Sequence, residues 1–101
     1  MEDQKSNNQN QLPTPDSIKY IVDSPHGSQI TWRDEFNTPH TEGVSNLTSF
    51  TKKVKAVEQW YTLEADNTGG AFVYIYLNDS LVATGTSDDF NTTAFAQWEY
   101  K

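Results

Sequence analysis

The sequence predicts an all-β protein: an immunoglobulin-like β-sandwich of seven to eight short, mostly antiparallel strands. Three observations carry this. Residues 71–86, AFVYIYLNDSLVATGT, read as two strands joined by a tight turn at Asn78-Asp79. Two-residue hairpin loops need φ > 0 at their centre, and Asn and Asp tolerate that better than other non-glycine residues. Residues 28–35 and 94–100 alternate apolar and polar side chains, the period of a half-buried strand. Turn signals at Pro25-His26-Gly27, Asp66–Gly70 and Asp88–Thr92 divide the chain into segments of sandwich length.

The elements follow in order. IKYIVD (18–23) is apolar and β-branched, as a strand requires. In SQITWRDE (28–35), Ile30 and Trp32 point one way and Gln29, Thr31 and Arg33 the other. NTPHTEG (37–43) reads as a polar loop, and residues 44–47 as a brief strand. Phe50–Ala65 is ambiguous. Phe50, Val54, Val57 and Tyr61 recur at helical spacing. Read as strands, Phe50, Val54 and Ala56 share one face with Lys52 among them. A break follows near Glu58-Gln59, and then Tyr61, Leu63 and Ala65 share a face. Richness in β-branched and aromatic residues and the lack of a capping box weigh toward strands.

In the hairpin, a turn at 78–79 sets Leu77 opposite Ser80, Ile75 opposite Val82 and Val73 opposite Thr84. AFAQWEY (94–100) closes the domain, with Ala94, Ala96 and Trp98 on one side. The expected core is Tyr20, Val22, Ile30, Trp32, Phe50, Val54, Leu63, Val73, Ile75, Leu77, Val82, Ala96 and Trp98.

The chain has 101 residues, enough for one small domain. Residues 1–16 hold only Met1 and Leu12 as large apolar side chains and read as a disordered N-terminal tether. Residues 17–101 form the sandwich domain. There is no cysteine, hence no disulfide and no thiolate metal site. The net charge of −7 repels a phosphate backbone, so nucleic acid is not an expected partner. Lys52, Lys53 and Lys55 form the one basic cluster and read as strand-edge positions that discourage edge-to-edge pairing. No apolar run approaches a transmembrane helix. Met1 followed by an amide-rich tether looks like a start residue placed where a signal sequence, and an acylated cysteine, have been removed. That reading puts the native protein in the periplasm or on the cell surface, lipid-anchored, with membrane association only through the removed anchor.

SQITWRDEF, VSNLTSFTKKVKA, WYTLEADNTGGAFVYIYLNDSLVATGTS and the closing AFAQWEY resemble the small accessory proteins called MmpS, mycobacterial membrane protein small. They resemble still more closely short Bacteroidetes lipoproteins with the same order of elements. LTSFTKKV (47–54) holds the place of that pattern's L-P-W-S-K-T-F segment, with Thr48 for its proline and Phe50 for its tryptophan. Asn78-Asp79 stands for its Asp-Gly turn. The likeness runs from Ile18 to Tyr100. It implies an immunoglobulin-like sandwich outside the cytoplasm, two strands across Phe50–Ala65, and an accessory role beside a transporter or envelope complex.

No catalytic or metal constellation stands out, so the expected function is non-catalytic, with no cofactor. His26 and His40 sit in separate predicted loops without cysteine partners, whereas a metal needs three or four converging ligands. Asp34-Glu35, Asp88-Asp89 and Glu64/Asp66 are carboxylate pairs. Adjacent strand residues face opposite ways, so Asp34-Glu35 is a poor acid–base pair. Asp66-Asn67 with Gly69-Gly70, or Asp88-Asp89-Asn91, offers oxygen ligands, but neither matches the twelve-residue calcium loop. Asx turns explain both. Asn46, Asn78 and Asn91 begin glycosylation sequons, which arise easily in an Asn- and Thr-rich chain.

The aromatics are the functional lead. With Val73, Ile75 and Leu77 inward, Phe72, Tyr74 and Tyr76 share an outer face, Leu81 joins Tyr76 by pairing, and Trp60 faces out. Such a surface is a partner-docking patch, a carbohydrate platform, or packing that stiffens the sheet. The expected partner is an unidentified envelope protein, docking on this face or on an open strand edge, or alternatively a glycan on the same rings.

Overall fold

The computed structural model describes residues 15–45, 48–66 and 68–101. Eight antiparallel strands make two four-stranded sheets packed as a β-sandwich, and no helix occurs among the described residues. The strands are β1 (Ser17–Ser24), β2 (Ser28–Arg33), β3 (Pro39–Val44), β4 (Thr48–Lys55), β5 (Gln59–Asp66), β6 (Phe72–Leu77), β7 (Ser80–Thr86) and β8 (Ala94–Tyr100). The order β4-β1-β6-β7 forms sheet A, and β3-β2-β5-β8 forms sheet B. The chain changes sheet at every connection except the β2–β3 and β6–β7 hairpins. An immunoglobulin sandwich has its last two strands consecutive on one sheet. Here the β6–β7 hairpin intervenes between β5 and its neighbour β8, and lies beside β1.

Phe50–Ala65 resolves into two strands, because Phe50, Val54, Tyr61, Leu63 and Ala65 all bury their side chains between the sheets. The 37–43 loop is corrected. The turn ends at Thr38 and β3 spans Pro39–Val44, an edge strand paired to β2 with Trp32 opposite His40. Its sequence hides this, since His40 and Glu42 occupy the positions that face β2's buried side chains. Of the expected 44–47 strand, Val44 ends β3, and Asn46 and Leu47 lie outside the described residues. Residues 1–14 of the expected tether lie outside them too. Asp16, placed in the tether by composition, is held by the fold: its carbonyl accepts the Ala56 N–H at 3.0 Å, and its carboxylate accepts Tyr100 Oη at 2.6 Å and Asn78 Nδ2 at 3.2 Å.

The core comprises Ile18, Tyr20, Val22, Ile30, Trp32, Phe50, Val54, Tyr61, Leu63, Ala65, Ala71, Val73, Ile75, Ala94 and Ala96. Leu77, Val82 and Trp98, expected within it, are only partly buried at its margin. Two of its members are tyrosines whose hydroxyls end on backbone. Tyr20, on sheet A, donates to the Arg33 carbonyl of sheet B at 2.7 Å. Tyr61 accepts the Val57 N–H at 2.7 Å and donates to the Lys55 carbonyl at 2.9 Å, bracing the crossover from β4 to β5. A hydroxyl so placed satisfies backbone groups that the crossover leaves unpaired, as at the tyrosine corner of Greek-key sandwiches.

The hairpin departs from its expected register. Asn78 takes φ = 56° and Leu77 pairs with Ser80, as the turn requires. Tyr76 then pairs with Leu81, but Ile75 pairs with Ala83 and Val73 with Gly85, not with Val82 and Thr84. Val82 is the extra residue of a β-bulge. The reason lies on β8. A Cβ at position 85 would stand 2.1 Å from the Phe95 carbonyl oxygen and 2.7 Å from its carbon. The backbones of β7 and β8 meet there and close one side of the sandwich. The bulge moves glycine, in place of Thr84, to the inward position at that contact.

Two stability outcomes follow. Gly85→Ala forces β7 off β8 and is expected to cost about 2 kcal/mol or more, within the range of overpacked cores. Tyr61→Phe strands the Val57 N–H and the Lys55 carbonyl and is expected to cost about 1–3 kcal/mol. Urea unfolding midpoints measure both. Values within a few tenths of a kcal/mol of wild type would show that neither contact constrains the fold.

Candidate functional site

The sandwich presents two outer faces of different chemistry. On β6, Val73 and Ile75 are fully buried, so the alternate residues Phe72, Tyr74 and Tyr76 stand on the outside of sheet A. Register supplies their neighbours. Asp23, Ile21 and Lys19 on β1 lie opposite Phe72, Tyr74 and Tyr76. Thr86, Thr84 and Leu81 on β7 lie opposite the same three. Ser49, Thr51 and Lys53 on β4 continue the rows beyond β1. The face therefore has an apolar centre of three rings, Ile21 and Leu81, rimmed by hydroxyls, two lysines and one aspartate.

The rings form a continuous row. Phe72 and Tyr74 lie 6.5 Å apart with planes 11° from parallel, and Tyr74 and Tyr76 lie 6.5 Å apart at 41°. Lys19 Nζ stands 5.4 Å from the Tyr76 centroid, a cation–π contact that holds the ammonium at one end of the row. Phe72 and Leu81 remain 43% and 50% exposed, so the described residues leave the row open.

Trp60 is 51% exposed, as the alternation of β5 predicts. However, β5 belongs to sheet B, and Trp60 pairs with Glu99 of β8. It therefore stands on the opposite side of the molecule from the ring row and does not join that surface. The outer face of sheet B is otherwise polar apart from Phe95. On it, Glu64 and Asp66 stand on one face of β5, and the neighbouring Asp66 carboxylate, with partial burial, raises the Glu64 pKa above its ordinary value. Thr93 Oγ1 donates to Asp66 Oδ1 at 3.1 Å.

The histidines separate. His26 is exposed in the β1–β2 turn. His40 lies in β3, stacked on the buried Trp32 ring at 4.4 Å and 12°. Its Nε2 is 2.7 Å from Asp34 Oδ2. Asp34 Oδ1 accepts the N–H groups of Phe36 at 2.8 Å and Thr38 at 3.0 Å. The hydrogen bond from His40, followed by that from the Thr38 N–H, holds the Asp34 pKa below the usual carboxylate range. This constellation organises the β2–β3 turn.

Asp88 does the same for the β7–β8 loop, where its Oδ1 accepts the N–H groups of Phe90 and Asn91 at 2.9 and 2.7 Å, and its pKa is lowered by them. Of the two oxygen sets weighed for calcium, this one is an Asx turn, and the other includes Asn67, outside the described residues. No group of three or more His, Cys, Asp or Glu side chains able to hold a metal occurs among the described residues.

The lysine cluster divides by strand face. β4 is an edge of sheet A, and Lys53 and Lys55 are exposed on it. Lys52 turns inward with Phe50 and Val54. Its ammonium lies 5.1 Å from the Trp32 centroid and 3.9 Å from Glu42 Oε2 on β3. Compared with models of protein families and with curated protein sequences, the chain matches none.

Because the folded state depresses the Asp34 pKa, its contribution to stability is present above the unfolded value near 3.9 and is lost as pH falls through the lower folded value. Asp34→Asn is expected to lower stability at pH 7. It should also flatten part of the acid limb, so that wild type and variant converge below about pH 3. Urea midpoints measured from pH 7 to pH 2.5 check this, and a constant gap across that range would contradict it.

Proposed function

We propose that the protein is a non-catalytic binding module of the cell envelope, lipid-anchored in its native form. Its outer face of sheet A docks an envelope protein, as in an accessory subunit of a transporter or envelope complex of the MmpS kind. The row Phe72–Tyr74–Tyr76 with Ile21 and Leu81 at its centre and hydroxyls and charges at its margin carries this reading. Recognition surfaces have that anatomy: aromatic anchors in the middle and a polar rim that excludes water. Three outward aromatics on one strand exceed what sheet pairing needs, because the buried faces of β6 and β1 already fix its position.

A glycan is the second reading. The near-parallel Phe72 and Tyr74 rings, flanked by Thr84 and Thr86 hydroxyls, offer stacking surface and hydrogen bonds together. One set of variants separates the two. A photo-crosslinking residue at Thr84 should join one discrete envelope protein in cells. Excess wild-type domain should compete with that product, and the Tyr74→Ala/Tyr76→Ala domain should not. The same residue at Gln97, on sheet B, should give no product. A glycan array bound by wild type and lost in the double variant would replace the protein partner with a sugar. Equal products from Thr84 and Gln97, with a blank array, would remove the face as a docking surface.

A further inference from the structure

The end of the sandwich that carries the β2–β3 turn has a feature independent of the ring face. Pro15–Ser17, the Lys53–Lys55 end of β4, and Glu35 enclose an open groove of about 470 Å³. Pro15 and Val54 supply apolar lining, and Lys53, Lys55 and Glu35 supply charge. Beside it stands Phe36, 80% exposed. A lone exposed phenylalanine is ordinary, but this one is held firmly. Asp34 Oδ1 takes its N–H and that of Thr38. Arg33 Nη1 donates to the Asn37 carbonyl at 2.8 Å, and Gln59 Nε2 to the Asp34 carbonyl at 2.7 Å. Asn37 takes φ = 61°, which lets the turn close. A ring displayed on so fixed a backbone loses little conformational freedom when a surface covers it.

We infer that this end is a homodimer interface in which Phe36 of each chain enters the groove of the other. Two observations select a second copy as the occupant. First, Glu35, the residue before Phe36, lines the groove, so knob and hole lie side by side on one surface. A two-fold axis requires that arrangement, since each patch must meet its own copy. Second, this one patch carries both signs, with Glu35, Lys53 and Lys55 lining the same groove, so a copy turned about a two-fold axis sets the Glu35 of each chain against the lysines of the other.

The chain contains a second knob of the same make. DDFNT at 88–92 repeats DEFNT at 34–38, and Phe90 is fully exposed on an Asp88 turn. It stands at the far end of the strands, beside β7 and β8. A contact between Phe90 and the groove joins opposite ends of two chains, a head-to-tail contact that propagates into rings or open chains instead of two-fold pairs. Phe90 therefore serves as the control. The end of a two-sheet sandwich offers roughly 400–500 Å² per chain. That falls below a standard interface, so the dimer is weak. It leaves both ring faces uncovered.

Sedimentation velocity of the full chain from about 10 μM to about 1 mM tests the inference. A reversible monomer–dimer equilibrium is expected. Phe36→Ser, and Lys53→Glu with Lys55→Glu, should each weaken it at least about tenfold, the effect of losing an interface anchor. Phe90→Ser should leave it unchanged. Glu35→Lys should also abolish self-association, and mixing it with the Lys53→Glu/Lys55→Glu chain should restore a heterodimer. Four results would overturn the inference: a monomer across the whole range, as when the segment before Pro15 fills the groove; a dimer indifferent to Phe36→Ser; sensitivity to Phe90→Ser; or open-ended oligomers.

Discussion

Val73 and Ile75 have no exposed surface, and that burial sets the roll of β6 about its axis. A strand has two faces and a period of two, so every other decision on β6 is made with it. Phe72, Tyr74 and Tyr76 are committed outward, and β1 lies alongside with Tyr20 and Val22 inward and Lys19, Ile21 and Asp23 outward. A one-residue slip would carry three aromatic rings into the space that two aliphatics fill and expose the aliphatics to water. Each large side chain buried contributes about 1.5–3 kcal/mol, so the native register leads by a margin comparable to the whole stability of a small domain. The outer ring row and the core are two readings of one alternation.

The core that this alternation builds is modest, and polar ties supplement it. There is no disulfide. Tyr20 and Tyr61 join the sheets and the β4–β5 crossover through hydroxyl-to-backbone bonds, so two of the bulkiest core residues fill space and satisfy buried carbonyls together. At the opposite end, Ser24 Oγ donates to Gly27 O at 2.9 Å and Ser87 Oγ accepts the Ala71 N–H at 3.0 Å. Such bonds contribute about 1 kcal/mol each, but leaving the same groups unpaired would cost about 1–3 kcal/mol. They matter most as conditions for closing the sandwich. Asp16 works similarly at the surface, joining the start of β1, the β6–β7 turn and the end of β8 through Asn78 and Tyr100.

How much of this the sequence discloses depends on how local the cause is. The strands β2 and β8 are legible because each alternates within itself, β1 from its β-branched apolar run, and β6 from the Asn78-Asp79 turn that follows it; β5 lies in a stretch where helical spacing competes with the strand pattern. The outward placement of Trp60 is legible once that stretch is read as strands. The membership of Trp60 in the opposite sheet is not, since strand order is a property of the whole chain. β3 is hidden because an edge strand can place His40 and Glu42 where a central strand needs aliphatics. The bulge at Val82 is hidden because its cause, the Phe95 carbonyl, lies on another strand. The glycine at 85 is its one local trace: a small residue in a β-branched run, at a place where another backbone comes close. Tyr61 shares a face with Leu63 and Ala65 in the pattern, yet only the crossover geometry shows why it is tyrosine.

The four sheet edges among the described residues differ from the ring face in what they expose. β7 and β8 guard each other, because their backbones touch at Gly85 and leave no room for a strand between them. β4 carries Lys53 and Lys55, whose charges repel a like edge and hydrate the strand. β3 is short, begins with a proline that has no N–H to offer, and holds Glu42. Each edge thus bears one of the devices by which sheets avoid pairing, whereas the outer face of sheet A confines its charges, Lys19, Asp23 and Lys53, to the margin and leaves the ring row, Ile21 and Leu81 at its centre apolar. On sequence grounds an open strand edge stands beside the ring face as a candidate. Once the edges are compared, the ring face is the surface with most to gain from being covered.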